Sequence, residues 1–174
     1  MDIGELGAYI WSYLYGNGIN CVLSGGACVS IYSQNKYQSF DLDFIENVST
    51  SRKEITMLLN KIGFKENNRY YVNDETKFFI EFPSGPLSAG SEPIKSYNEL
   101  TFETGILRLL TPTDCVKDRL AAYFHCDDKQ SLDQAILVSE SNPIDMKEIK
   151  RWSIYEGCSD KFNSIQGKFK KPIF

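Results

Sequence analysis

Asp41 and Asp43 stand two residues apart in the run Phe40-Asp41-Leu42-Asp43-Phe44, where acidic and apolar side chains alternate. On an extended strand, a period of two sends both carboxylates to one face, with α-carbons about 7 Å apart, and Phe40, Leu42 and Phe44 to the other. Two ionised carboxylates so placed repel one another, and a cation between them relieves the repulsion. Mg2+ or Mn2+ is the natural candidate, because hard oxygen donors suit these ions and they keep positions open for water and substrate phosphate. Glu81 supplies a third acid inside an otherwise apolar run, Phe78-Phe79-Ile80-Glu81-Phe82. Upstream, Gly25-Gly26 follows the short apolar run Ile19 to Leu23 and precedes helix-compatible residues. A helix starting there presents unpaired N–H groups and the positive end of its dipole, and glycine lets a phosphate approach the backbone. Each feature alone has an ordinary explanation, a wet edge strand or a tight turn. Joined, they describe a site for a metal ion and a phosphate.

The elements that must position these residues are legible from periodicity. Ile3, Leu6, Tyr9, Ile10, Tyr13 and Leu14 recur at helical spacing and stop at Gly16-Asn17-Gly18, which predicts an amphipathic helix with a glycine terminator. Ile19 to Leu23, the glycine turn and Ala27 to Tyr32 read as strand, turn and helix. Ser51 is placed to cap a helix from about Arg52 to Lys61, ended by Gly63. Arg69 to Val72 and Lys77 to Phe82 read as a hairpin, with Tyr70, Tyr71, Phe78, Phe79 and Phe82 as core packing. The Gly-, Ser- and Pro-rich stretch from Pro83 to Asn98 reads as a surface loop, and Leu107 to Leu110 as one more strand. Beyond it come three helical patterns: Asp114 to about Phe124, capped by Thr113 or Asp114; Ser131 to Ser139; and Asp145 to Tyr155. The polar residues after Gly157 are expected to form a loosely packed tail.

At 174 residues and 42% hydrophobic, the chain suffices for one sizeable core. A net charge of −4 argues against a broad duplex-gripping surface. Lys161, Lys168, Lys170 and Lys171 gather near the C-terminus, and a local basic edge of that kind is compatible with a short RNA. The cysteines Cys21, Cys28, Cys115, Cys126 and Cys158 show no C-x-x-C pair, and reduced thiols in a cytoplasmic protein are the simplest account. No apolar run approaches the roughly 20 residues of a membrane span. The single histidine, His125, has Cys126, Asp127 and Asp128 beside it. Adjacent helical positions face different ways, so these four do not make a closed zinc site. With one histidine, a His-activated nucleophile is disfavoured as well.

Ser24-Gly25-Gly26, a helix, and then Ser39-Phe40-Asp41-Leu42-Asp43-Phe44 resemble the signature of the DNA polymerase β-like nucleotidyltransferase superfamily. Leu110-Thr111-Pro112-Thr113-Asp114-Cys115-Val116-Lys117-Asp118-Arg119-Leu120 is similar to the bacterial AbiEii-type branch, which includes toxin components of abortive-infection systems. The resemblance spans roughly Ile19 to Leu120. It implies a mixed α/β nucleotidyltransferase fold, a small twisted sheet flanked by helices, in one domain of residues 1–174: a catalytic core over about 1–110, a helical portion over about 111–157 and a tail over 158–174. It further implies that Asp41, Asp43 and Glu81 hold magnesium, or manganese, and that Glu81 helps prepare the attacking group. Ser24, Gly25 and Gly26 would hold phosphates, and Ser39 would steady the strand end or touch them. Lys117 would bring positive charge to the β- and γ-phosphates and Asp118 would orient it or bind the acceptor; Arg119 is left outside this set. A Lys-Asp-Arg run on a helix is otherwise a solvated charge cluster. Tyr97 and Tyr123 are candidates to line a nucleotide pocket. The implied reaction is in-line displacement at an α-phosphorus, with two metals about 4 Å apart stabilising the attacking and leaving oxygens. A nucleoside monophosphate would pass from a nucleoside triphosphate (ATP, GTP, CTP or UTP) to a tRNA 3′ end, a protein hydroxyl or a small molecule, in a toxin-type enzyme with an antitoxin partner if the branch holds. The alternatives are a non-catalytic nucleotide-binding module on the same fold and a toxin–antitoxin interaction module.

Overall fold

The computed structural model describes residues 1–46 and 50–169, so Lys170 and Lys171 of the basic C-terminal group lie outside the described residues. Helix α1 (Ile3–Gly16) opens where the Asp2 carboxylate accepts a hydrogen bond from the Glu5 amide, and buries Ile3, Leu6, Ile10, Trp11 and Leu14. Strand β1 (Cys21–Ser24) is buried throughout. Helix α2 (Gly25–Tyr32) follows without an intervening loop. Then come β2 (Asp41–Glu46), α3 (Arg52–Lys61), β3 (Lys65–Asn67), β4 (Tyr70–Val72) and β5 (Phe79–Glu81). A two-residue hairpin, β6 (Ser88–Ala89) with β7 (Glu92–Pro93), interrupts the expected loop, and β8 (Asn98–Phe102) and β9 (Gly105–Leu109) precede α4 (Pro112–Cys126), α5 (Lys129–Ser141), α6 (Met146–Tyr155) and α7 (Ser159–Ile165).

Seven strands form one mixed sheet in the order β3-β4-β5-β2-β1-β9-β8. The site depends on its centre. Strand β2 runs antiparallel to β1 with Ser24 opposite Asp43, and parallel to β5 with Asp43 opposite Glu81. Partners in register share a pleat, so Glu81 joins Asp41 and Asp43 on one face. On the other face Leu42 and Phe44 are fully buried. Phe40 departs from that expectation: β2 begins one residue later, and Phe40 is 45% exposed beside Phe78 and under the Lys77 ammonium. Helix α1 packs along β9, α2 packs on β2, and α4 pairs with α5 while touching α2 and α6. One continuous apolar core runs through all of these elements. Among the described residues, no helix is long and apolar enough to cross a membrane.

Two expectations at the C-terminal side change. Helix α4 is capped by Thr111, whose hydroxyl accepts from the Asp114 amide at 3.1 Å, with Pro112 in the first turn, where a missing N–H costs nothing. Thr113 instead accepts from the Asp145 amide at 3.0 Å and ties the start of α6 to that of α4. The described residues after Gly157, 158–169, are also not loose, because α7 buries Phe162 and Ile165. Two apolar side chains three positions apart, on one helical face, suffice to dock a short polar helix, a signal masked by the polar and charged residues around them.

Candidate active site

The structure brings Asp41, Asp43 and Glu81 together: one carboxylate oxygen from each lies within 4.8 Å of the others. This is the only such grouping of potential metal ligands found among the described residues. Burial, then the neighbouring Asp41 and Glu81 carboxylates, push the Asp43 carboxyl up to about 7, while Arg119 pulls it back down. Three convergent carboxylates that resist ionising together form the donor set expected of a divalent cation site.

Asp41 and the backbone of Asp43 each have a support. The Ser39 hydroxyl donates a short hydrogen bond to Asp41 Oδ1. The Ser39 amide in turn donates to Ser30 Oγ at 2.7 Å, which fastens the loop before β2 to α2. The Ser24 hydroxyl donates to the Asp43 carbonyl at 3.3 Å and makes no capping bond to α2, so the first-turn amides of that helix keep their anion-binding capacity. Gly25 has φ +69°, and a Cβ there would lie inside van der Waals contact of Asp43 Oδ2 and 3.3 Å from its Cγ. Glycine is required twice over, for the left-handed backbone and for room beside the carboxylate. A Cβ on Gly26 would lie 3.1 Å from Ser39 Oγ, a milder conflict. Ser24, Gly25, Gly26 and Ser39 therefore all border the acidic cluster.

Lys117 is placed elsewhere. It is 5% exposed, its Nζ lies 2.7 Å from Glu148 Oε1 and 3.5 Å from Asp114 Oδ1, and it lines a cavity of about 690 Å3 with Glu92, Thr111, Asp145 and Arg151. None of the three clustered acids lines that cavity. Asp118 does not orient Lys117 but pairs with Arg119, Oδ2 to Nη2, at 2.5 Å. Two helical positions turn a side chain by about 200°, so Arg119 faces away from Lys117, and of the two it is Arg119 whose charge is felt at Asp43, opposed by that of its partner Asp118. Gln134 Oε1 accepts from Arg119 Nη1 at 3.3 Å. The sequence signal for Arg119 was its offset of two from Lys117 on a helix packed over α2, which is unreadable until the helix face is known. Replacing Lys117 by Met is expected to cost about 3 kcal/mol, because carboxylates gathered around a buried ammonium lose their counter-charge. Chemical denaturation checks this, with Mn2+ affinity expected within about twofold of wild type.

Tyr97 lies with its ring 4.2 Å from the Arg108 guanidinium carbon, and Tyr123 packs beside Phe124 and under Lys161. Neither is shown at the carboxylates. His125 lies 3.2 Å from Glu156, an ion pair when protonated. All five cysteines are free. Burial pushes the Cys21 thiol up to about 12 and raises Cys28 and Cys115 well above the ordinary range, so these three are packing groups rather than nucleophiles.

The raised Asp43 carboxyl has a consequence for pH. Its protonated form is favoured in the fold, so its contribution to stability is complete below the ordinary value of 3.8 and is lost as pH rises through about 7. The metal-free protein is therefore expected to melt at a lower temperature at pH 8 than at pH 5.5 as far as this group decides it, and Asp43→Asn to flatten the difference. Divalent binding must release the proton, so Mn2+ affinity is expected to rise with pH up to and just past 7 and then level. Calorimetric titration across pH 5.5–8.5 reads it.

No protein-family model and no curated protein matches the chain. In fold it is similar to an antigenic nucleotidyltransferase-like protein from Paracoccidioides brasiliensis, with a TM-score of 0.68 and 11% identity over 99% of this chain and 94% of that one. It is also similar to the antibiotic-resistance factor ANT(2'')-Ia, with a TM-score of 0.54 and 13% identity over 96% of this chain and 95% of that one. The crystal structure of ANT(2'')-Ia in complex with adenylyl-2''-tobramycin gives a TM-score of 0.53 at 10% identity, over 94% and 98% of the two chains. The chain has a nucleotidyltransferase fold. The likeness runs over nearly the full length of each chain, including the helices that follow the sheet.

Proposed function

We propose that this protein is a divalent-metal-dependent nucleotidyltransferase that moves a nucleoside monophosphate from a nucleoside triphosphate to an acceptor hydroxyl. The observation that carries the reading is the convergence of Asp41, Asp43 and Glu81 within 4.8 Å beside the start of α2, on this fold. Asp41, Asp43 and Glu81 would hold Mg2+, or Mn2+; when bound, such an ion neutralises phosphate charge and acts as a Lewis acid on phosphoryl oxygens. The remaining work falls to the chain itself. The amides of Gly25 and Gly26, with the Ser24 hydroxyl, bind triphosphate oxygens at the positive end of α2. Ser39 holds Asp41 in orientation, Glu81 accepts the proton of the attacking hydroxyl, and the Arg119 charge replaces the one first assigned to Lys117. The acceptor oxygen bonds to the α-phosphorus as the bond to the bridging oxygen breaks, and pyrophosphate leaves.

Of the acceptor classes, a small molecule has support beyond the sequence, since one fold neighbour is described with an adenylylated aminoglycoside. A tRNA 3′ end, a protein hydroxyl, an antitoxin partner and the AbiEii-type branch rest on the sequence resemblance. A cytoplasmic setting is consistent with the five free thiols. Binding of ATP, GTP, CTP and UTP, measured with Mn2+ and again with chelator, tests the metal-dependent reading. At least one nucleotide is expected to bind only with the ion. Metal-independent binding would contradict the assigned roles, and a nucleotide bound with metal but never turned over would favour the non-catalytic module.

A further inference from the structure

Arg69, in the turn before β4, was not singled out by its sequence. Its Nε lies 3.3 Å from Glu81 Oε1, although its own side chain is 68% exposed and that of Glu81 only 19%. The guanidinium is held there by a built support. Its carbon lies 4.7 Å from the Tyr70 ring centroid, and an Arg69 Nη2 hydrogen bond reaches the Tyr70 hydroxyl. The Tyr70 ring stands edge-on to Phe79, 4.8 Å between centroids, and Phe79 is two residues from Glu81 on β5. Tyr70 is itself the register partner of Glu81. The chain thus places an exposed cation against the acid of the cluster that stands nearest the sheet edge, with Asp43 and Glu81 both acting on its charge.

We propose that Arg69 is an exchangeable counter-charge of the active site: it pairs with Glu81 in the metal-free protein, competes there with the divalent ion, and once displaced serves the nucleoside triphosphate as a phosphate-binding cation. This rests on the metal-dependent reading above. A guanidinium next to a cation site weakens that ion by competition and like-charge repulsion, while the same guanidinium attracts a polyanion that arrives with the ion. The two effects have opposite signs, which separates this role from a purely structural one. The Arg69 side of the pair is largely solvated, which limits each effect to about two- to fivefold.

The experiment compares wild type, Arg69→Gln and Arg69→Lys by calorimetric titration with Mn2+ alone, and then with a non-hydrolysable triphosphate analogue at saturating Mn2+. Circular dichroism confirms folding, which the exposure of Arg69 makes safe. Arg69→Gln is expected to bind Mn2+ about two- to fivefold more tightly and the analogue by a similar factor more weakly, with Arg69→Lys intermediate in both. Unchanged or weakened Mn2+ binding in Arg69→Gln, or unchanged analogue binding, would overturn the exchange while leaving the metal site intact. A wild type that binds no Mn2+ would overturn the metal site itself and this role with it.

Discussion

Replacing Asp43 by Asn is expected to abolish nucleotidyl transfer while making the metal-free protein more stable at pH 8. Both effects come from one cause. The Asp43 carboxyl is pushed up to about 7 by burial and by Asp41 and Glu81, so its ionised form is disfavoured in the fold. An amide of the same shape removes the repulsion but also removes a hard anionic ligand. Losing several kcal/mol of transition-state charge stabilisation at about 1.4 kcal/mol per decade corresponds to a rate loss on the order of a thousandfold. Asp41→Asn is expected to lose activity comparably. Its hydrogen bond from Ser39 must also be remade by an amide oxygen. Thermal melts in chelator and initial rates at saturating metal read the two halves of the prediction. A variant that is less stable as well as inactive would indicate that Asp43 is a structural acid.

Gly25→Ala carries the second large effect. The left-handed backbone at φ +69° costs an alanine on the order of 1 kcal/mol, which the fold can absorb. The added methyl group is the larger problem, since it must displace the Asp43 carboxylate, whose Cγ would be only 3.3 Å away. A shift of about 1 Å in a catalytic group costs roughly a hundredfold in rate, and Mn2+ affinity should fall with it. Gly26→Ala provides the graded control: its methyl meets Ser39 Oγ at 3.1 Å, so a small rotation of one hydroxyl relieves it, and a loss of about tenfold or less is expected. Equal losses in the two variants would point to a general disturbance of α2 rather than to the approach of Gly25 to Asp43.

The acidic pair and the glycine turn were readable from the sequence because their signals are local: alternation on a strand, and Gly-Gly between an apolar run and a helix. That Glu81 belongs with them was suggested by an acid in an apolar run, and its place follows from the parallel pairing of β2 with β5, a contact no short window contains. Strand β3 gave no signal because Lys65, Glu66 and Asn67 are all exposed and pair only along an edge. Strand β8 was hidden for a similar reason, being the opposite edge of the sheet. The cap of α4 lies two or three residues before the expected Thr113 or Asp114, because Thr111, Thr113 and Asp114 are all competent caps and only Pro112 decides among them. Lys117 and Arg119 illustrate the hardest case. Both are basic residues on one helix, and which of them faces the acids depends on how α4 lies over α2. Arg69 was invisible because its partner is set by a hairpin register, Tyr70 opposite Glu81.

Transfer of label from α-phosphate-labelled ATP, GTP, CTP and UTP, each with Mg2+, to a panel of hydroxylated small molecules, to total tRNA and to the protein itself bears most directly on the central claim. Wild type and the Asp41→Asn/Asp43→Asn double variant are compared side by side. The account predicts label on at least one acceptor with wild type and none with the double variant. Absence of label from every nucleotide and acceptor class with a folded wild-type protein, or equal labelling by the double variant, would contradict it.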